Sequence, residues 1–293
     1  MGGFKSLQSA TTFAENASPV ASIAWRSDLW TDFQNDGLLE VIRFFSWYPA
    51  ETLMQQEATY QLIPFAVNVP FPDDFAVAAN CDLNGDSFPD IFVASSYGSS
   101  LPFSAYRNMY PEWRNLSFAT FPVEGSALHS NLPSPVCVRS PAGAYSDVVV
   151  GRFFDDVVFY SNNGTHLTPF GSIETFGRDL SSSPFVLTGT ECHNGAFCLA
   201  MIANIAYSGI LSHGLFYTRL QNGSFVYEQS ISEQALPNNA NGASARFADF
   251  DGDGNPDIVY IGSMDQFSGP GIVFSQNLGN GTWKCSRSLT PRR

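Results

Sequence analysis

The chain has 293 residues, a net charge of −13 from 14 basic and 27 acidic side chains, and an apolar fraction of 44%. This balance disfavours nucleic acid as a partner, because nucleic-acid binding needs a basic surface. Charged residues and aromatic residues each make up 14% of the chain, a composition that favours packed β-sheets over disorder. No run of about 18 apolar residues occurs, so we expect no membrane insertion.

An acidic segment of nine residues recurs along the chain, each time before a short apolar run that is typical of a strand. Three copies are acidic and two are degenerate; they start at Asp32, Asp82, Arg139, Thr190 and Asp249. The spacings between these starts are 50, 57, 51 and 59 residues. Such a period, with several short strands in each unit, predicts the four-stranded blade of a β-propeller.

The second half of each unit also repeats, as a strand, a tight turn and another strand. Segments 157–167, 214–225 and 271–283 carry an Asn-Gly turn, and segments 53–62 and 106–118 are looser equivalents. Asn-Gly favours tight hairpins because both residues tolerate a positive φ. The sequence therefore predicts an all-β chain, a single propeller domain over residues 1–293 with about five blades.

The N-terminus leaves the closure of the propeller open. Gly3-Phe4 resembles the tail of a hairpin turn between the third and fourth strands of a blade. The ring is then closed by an N-terminal strand, or the five repeats are part of a larger array.

The acidic segments have the alternating oxygen ligands that a hard cation such as Ca²⁺ prefers. Two segments predict calcium sites. Their ligands are Asp82, Asn84, Asp86, Phe88 and Asp90 in one and Asp249, Asp251, Asp253, Asn255 and Asp257 in the other. Phe88 and Asn255 contribute backbone carbonyls. The segment at Asp32 is a weaker third candidate, with Asp36 and Glu40 but with Gln34 in place of a carboxylate.

An EF-hand and ordinary turn chemistry are the two alternative interpretations of these segments. An EF-hand would need a bidentate Glu at loop position twelve, where the chain has Val93 and Tyr260, and would need helices on both sides. Ordinary turn chemistry also uses Asp and Gly, although two copies in phase with a repeat favour a metal.

The degenerate segments suggest replacements for the cation. Cys192 and Cys198 stand at positions three and nine of the fourth segment, so we expect a disulfide there. In the third segment Arg139 and Asp147 stand at positions one and nine, where an ion pair could replace the metal. The pairing of Cys81, Cys137 and Cys285 stays open, with at least one buried free thiol expected.

The segments 80–92 and 247–259, with the Asn-Gly-Thr-Trp sequence that ends at Trp283, resemble the FG-GAP and VCBS repeats of integrin α-subunit propellers and related extracellular proteins. The resemblance implies a propeller with one structural calcium per intact loop and a ligand bound by other loops or between blades. Members of this group include adhesion receptors, fungal lectins and propellers attached to hydrolases and lyases. Their propellers usually have seven blades, whereas five repeats are found here.

The chain lacks the sequence patterns of common active sites. Its four histidines are scattered, and neither a nucleophile elbow nor a phosphate-binding glycine loop is present. We therefore expect a binding module for adhesion or recognition, extracellular or secreted, whose ligand is a glycan or a protein. A polysaccharide lyase or hydrolase propeller is the alternative. Four tryptophans could stack on a sugar, although core packing is the commoner role: Trp25, Trp30, Trp47 and Trp113.

Overall fold

The computed structural model contains twenty β-strands in five sheets of four antiparallel strands. It describes residues 26–45, 48–55, 62–64, 71, 76–95, 103–110, 117–125, 135–140, 145–151, 157–173, 185–191, 197–204, 212–219, 225–231, 244–263, 270–279 and 282–289. None of these residues belongs to a helix that is long and apolar enough to cross a bilayer.

Each sheet is built from one continuous stretch of chain, with its strands in sequence order. We call the sheets blades 1 to 5. Blade 1 contains β1 (Arg26–Thr31), β2 (Glu40–Phe45), β3 (Tyr48–Gln55) and β4 (Leu62–Pro64). Blade 2 contains β5 (Ala76–Cys81), β6 (Asp90–Ser95), β7 (Phe103–Asn108) and β8 (Phe118–Phe121).

The remaining three blades have the same order of strands. Blade 3 contains β9 (Pro135–Arg139), β10 (Ser146–Gly151), β11 (Val157–Asn162) and β12 (Leu167–Ile173). Blade 4 contains β13 (Phe185–Glu191), β14 (Phe197–Asn204), β15 (Ser212–Arg219) and β16 (Phe225–Ile231). Blade 5 contains β17 (Ser244–Ala248), β18 (Asp257–Ser263), β19 (Pro270–Asn277) and β20 (Trp283–Leu289). The predicted all-β propeller of four-stranded blades is thus confirmed.

The first strands of successive blades lie next to one another, β1 beside β5, β5 beside β9, β9 beside β13 and β13 beside β17. Among the described residues no comparable contact joins β17 to β1. Residues 1–25, which include the predicted ring-closing strand, lie outside the described residues. Each of the five sheets already has four strands without them.

The hydrophobic core lies between blades, and β6 shows how the sequence produces this arrangement. All six residues of β6 are buried. Because side chains alternate along a strand, Ile91 and Val93 pack in the cluster shared with blade 1, whereas Phe92 and Ala94 pack in the cluster shared with blade 3. A strand covered on both faces needs a continuous apolar run rather than an alternating one.

The nine-residue segments form the loops between the first and second strands of the blades, and we call them loops 1 to 5. In blade 2 the residue before the loop, Cys81, pairs with Asp90 at position nine, and blades 1, 3 and 5 have the same register. In blade 4 Thr190, at position one, pairs with Cys198. The register of blade 4 is therefore shifted by one residue, and its pairing continues to Glu191 and Phe197, at positions two and eight.

Candidate metal loops and the contacts beneath them

Loops 1, 2 and 5 have the same backbone conformation. Positions four and six adopt a positive φ in all three, with values between 52° and 85°, at Asn35, Gly37, Gly85, Ser87, Gly252 and Gly254. Glycine adopts this conformation without strain, and Asn tolerates it better than most residues. Loop 1, the weakest candidate by sequence, therefore has the backbone of the two strong candidates.

The carboxylate at position one organises each of these loops. Asp82 accepts hydrogen bonds from the backbone N–H groups of Gly85 at 2.7 Å and Ser87 at 3.1 Å. Asp249 accepts from Gly252 and Gly254 at the same two distances. Asp32 accepts from positions five and six instead, at 3.0 Å and 2.7 Å. Each carboxylate oxygen has a second lone pair, so these contacts leave it able to bind a cation.

The carboxylate at position nine is buried and connects its loop to the third strand of the same blade. Asp90 accepts the N–H of Leu83 at 2.6 Å through Oδ2 and the N–H of Asn108 at 2.7 Å through Oδ1. In blade 5 Asp257 accepts from Phe250 and Asn277 in the same way, at 3.0 Å and 2.8 Å. The sequence indicated a metal ligand at this position, and the structure adds a role in the scaffold.

A buried asparagine at the end of the third strand completes this connection, although it was not among the predicted site residues. Asn108 and Asn162 each donate their side-chain N–H to a position-two carbonyl of the preceding blade, that of Phe33 at 2.7 Å and that of Leu83 at 2.8 Å. Asn277 donates to Pro256, at position eight of its own loop, at 3.4 Å. The Asn-Leu-Gly and Asn-Asn-Gly sequences could have shown the position, although turn chemistry already explained them.

We call the position-nine carboxylate, the asparagine and their hydrogen bonds the latch. Blade 1 has a lengthened version of the latch, with Glu40 and Gln55 in place of Asp and Asn. Glu40 Oε2 accepts the N–H of Phe33 at 2.7 Å, while the buried Oε1 atom has no hydrogen-bond partner. Gln55 instead exchanges hydrogen bonds with Leu39, at 2.9 Å and 3.2 Å. One additional methylene group in each side chain therefore leaves one carboxylate oxygen unsatisfied.

Loop 5 brings its predicted ligands closest together. One carboxylate oxygen from each of Asp249, Asp251 and Asp257 lies within 4.8 Å of the others, and no other such group of acidic, His or Cys side chains occurs among the described residues. Ligand oxygens on opposite sides of a Ca²⁺ ion are about 5 Å apart, given bond lengths of about 2.4 Å. Gln276 also donates a hydrogen bond to Asp251.

The other predicted ligands are held by contacts within their loops. Asn84 donates to Asp86 at 2.6 Å, and Asp86 accepts the N–H of Phe88 at 2.8 Å. Asp253 accepts both the backbone and side-chain N–H of Asn255, at 2.8 Å and 3.0 Å. In loop 1 Asp36 accepts the N–H of Leu38 at 2.9 Å. These bonds orient the carboxylates at the loop surface.

Burial raises the pKa of several of these carboxyl groups. Burial, with a smaller contribution from the negative charges of nearby loop carboxylates, raises the pKa of Asp90 and that of Glu40 to about 7, although the backbone hydrogen bonds they accept lower it. Desolvation also raises the pKa of Asp82 and of Asp257. A bound cation favours the ionised form and would lower all four pKa values.

The degenerate loops 3 and 4 are only partly described. Asp147 is buried and accepts the N–H of Asn162 at 2.8 Å, so the latch is present in blade 3. Its predicted ion pair with Arg139 stays a prediction. Cys192 and the side chain of Cys198 lie outside the described residues, and their disulfide also stays a prediction.

A disulfide does occur between two cysteines whose pairing the sequence left open. Cys81 and Cys137 are bonded, 56 positions apart in the sequence and with a Cα–Cα distance of 5.4 Å. Cys81 ends the first strand of blade 2 and Cys137 lies in the first strand of blade 3. The bond therefore links two successive blades directly before loop 2.

Of the four tryptophans considered for sugar stacking, Trp30 is the one that lies among the described residues. Its side chain is 44% exposed, and its carbonyl accepts a hydrogen bond from Asn80 of blade 2 at 3.3 Å. Trp25, Trp47 and Trp113 lie outside the described residues. Trp283, by contrast, is buried in blade 5.

Comparisons with known proteins agree with this architecture. Residues 205–260, which include loop 5, match the FG-GAP-like repeat family. By sequence, no curated protein matches the chain.

Three solved structures illustrate the fold. AofleA from Arthrobotrys oligospora is 10% identical, with a TM-score of 0.53 over 87% of this chain and 70% of the other. A variant of Aleuria aurantia lectin in complex with Fucα1-6GlcNAc is 10% identical, with a TM-score of 0.53 over 91% and 79%. Periplasmic gluconolactonase from Pseudomonas aeruginosa is 11% identical, with a TM-score of 0.51 over 88% and 69%. Lectin and enzyme thus share this fold, and the chain is a β-propeller that contains an FG-GAP-like repeat.

Proposed function

We propose that this protein is a calcium-stabilised extracellular propeller that binds a glycan. The observation that carries the calcium part is the common geometry of loops 1, 2 and 5. In each of them two residues have a positive φ and the position-one Asp accepts two backbone N–H groups. This geometry holds the position-one carboxylate against the backbone of its own loop, and its oxygens are of the kind that a hard cation prefers.

Two further observations support a cation in these loops. The three clustered carboxylates of loop 5 repel one another unless a positive charge lies between them. In loop 1 the buried Oε1 atom of Glu40 has no hydrogen-bond partner, and an unsatisfied buried oxygen costs about 1–3 kcal/mol. A cation bound by Asp32, Asp36 and Glu40 would satisfy it, so we propose three calcium sites.

An extracellular location is supported by the disulfide between Cys81 and Cys137, because disulfides persist in oxidising compartments. Calcium concentrations there also suit loops of modest affinity.

Calcium should raise the melting temperature without being required for folding. At a calcium concentration one hundred times Kd, each site adds about 2.7 kcal/mol to the free energy of unfolding. The latch does not depend on the ion and keeps the blades folded after chelation. Circular dichroism melts in calcium, in magnesium and in a chelator, with isothermal titration for stoichiometry, measure the effect. An unchanged melting temperature and no bound calcium would show that the loops are ordinary turns without a metal.

The glycan part of the proposal is supported by the shared fold, since the Aleuria aurantia protein is a lectin in complex with Fucα1-6GlcNAc. The exposed ring of Trp30 offers an apolar face of the kind on which sugars stack. A protein ligand for adhesion is the competing choice within binding functions. We expect the calcium-loaded protein to bind defined members of a glycan array. An empty array together with capture of one protein partner would favour adhesion instead.

A hydrolase or lyase propeller is the second candidate, because an α-L-arabinofuranosidase from Fusarium graminearum also shares the fold, with 11% identity and a TM-score of 0.51 over 89% of this chain and 80% of the other. Against it, the buried carboxylates Asp90 and Asp257 are engaged in the latch rather than facing each other. Incubation with each bound glycan, followed by a reducing-end assay, separates the two functions. Release of sugar would assign the protein to the enzymes.

A further inference from the structure

Loop 2 is held in place by the blade that follows it. The backbone N–H of Asp82 donates to Ser146 Oγ at 3.0 Å, and the N–H of Ser146 donates to the Asp82 carbonyl at 2.6 Å. Asn162 donates to the carbonyl of Leu83, the next residue, at 2.8 Å. The Cys81–Cys137 disulfide fixes the residue immediately before Asp82. The residue before the loop and the first two residues of the loop are therefore all bonded to blade 3.

Loop 1 has fewer contacts of this kind. Asn108 of blade 2 donates to the carbonyl of Phe33 at position two, at 2.7 Å. Asn80 donates to the carbonyl of Trp30, two residues before the loop, at 3.3 Å. Among the described residues no group of blade 2 is hydrogen-bonded to Asp32 itself, and no disulfide spans this junction.

Loop 5 has none of these contacts within the part of the chain that the structure describes. Its first three positions, Asp249, Phe250 and Asp251, are all exposed, and the Phe250 side chain is 51% exposed. The same positions of loops 1 and 2 are half-buried, buried and half-buried, and Phe33 and Leu83 are completely buried. The three loops share one backbone conformation, and Phe33 and Leu83 are covered by the blade that follows them, whereas no blade that follows blade 5 is among the described residues.

We propose that the following blade tunes calcium affinity, with Ser146 and the adjacent disulfide acting as positioning groups that raise the calcium affinity of loop 2. This inference rests on the calcium sites proposed above. Asp82 supplies a carboxylate at position one, and contacts to blade 3 hold its backbone in place before the ion arrives. A ligand that is already ordered loses less conformational entropy on binding. Partners of a metal ligand usually change metal affinity about 10–100-fold.

The test measures calcium affinity one loop at a time. A protein with Asp36→Ala and Asp251→Ala retains loop 2 alone, and a protein with Asp36→Ala and Asp86→Ala retains loop 5 alone. The substituted side chains are exposed, so both proteins should fold, which circular dichroism checks. Ser146→Ala is added to each, and Ser146→Thr, which keeps the hydroxyl group, is the matched control. Isothermal titration with Ca²⁺ then gives Kd for the remaining loop.

We expect Ser146→Ala to raise Kd about 10–100-fold for loop 2 and to leave Kd for loop 5 unchanged. Ser146→Thr should retain most of the calcium affinity of loop 2. Equal losses at both loops, or no loss at loop 2, would overturn the positioning role while leaving calcium binding intact. An unmodified protein that binds no calcium would overturn the calcium sites and this inference together.

Discussion

Replacing Asp90 with alanine should lower the free energy of unfolding by roughly 3 kcal/mol even when calcium is absent, because two buried N–H groups lose their acceptor. Those groups belong to Leu83 and Asn108, which lie at either end of the latch in blade 2. A measurement in a chelator gives this calcium-free loss of stability. The loss should be larger in calcium, because a calcium ligand is also removed. Urea unfolding under both conditions measures it.

The matched control is Asp86→Ala in the same loop. Asp86 is exposed and its hydrogen bonds stay within the loop, to Asn84 and Phe88. Its removal should change the free energy of unfolding in a chelator by less than about 0.5 kcal/mol. It should also abolish the additional stability that calcium gives through this site. If Asp90→Ala were as mild as Asp86→Ala in a chelator, position nine would be a metal ligand without a role in the scaffold.

Removing the disulfide with Cys81→Ala and Cys137→Ala should cost about 4 kcal/mol, the chain-entropy value for a closed loop of this length. The bond closes a loop of 56 residues and links the first strands of blades 2 and 3. Its loss should also weaken calcium binding at loop 2, because it fixes the residue before Asp82. Denaturant unfolding and calcium titration provide the two measurements.

Cys285→Ser is the control for that prediction, since Cys285 is not part of this disulfide. This variant should show neither the loss of protein stability nor the loss of calcium affinity at loop 2 that is expected of the double variant. A double variant as stable as the unmodified protein would show that the hydrogen bonds of Ser146 and Asn162 suffice to hold the two blades together. A loss of stability without any change at loop 2 would separate the bond from the calcium site.

The fold could be predicted because its signals are local and repeated. A nine-residue loop such as Asp249–Asp257 specifies its own turn through Gly252 and Gly254, which adopt the positive φ that the loop needs. The Asn-Gly hairpins and the short apolar runs specify the strands on either side. Five such units in phase predict four-stranded blades without any knowledge of how the blades pack.

The latch and the covalent link could not be predicted in this way. Asn108 bonds to Phe33 across 75 residues and Asn162 bonds to Leu83 across 79 residues, and neither spacing leaves a local pattern. For the cysteines, the sequence favoured the nearby pair Cys192 and Cys198. That pair stays a prediction, while the structure joins Cys81 to Cys137, whose pairing the sequence left open; they are about one repeat apart and come together because first strands of successive blades are neighbours.

The sequence by itself thus determined the repeat, the strands and the conformation of the acidic loops, because turn residues and strand alternation act over a few residues. The tertiary structure alone decided which carboxylates are buried, which asparagines complete the latch and which loops are covered. Loops 2 and 5 are nearly equivalent as sequences, yet Leu83 is buried and Phe250 is exposed. Leu83 is buried because blade 3 packs against loop 2, a contact that no nine-residue segment encodes.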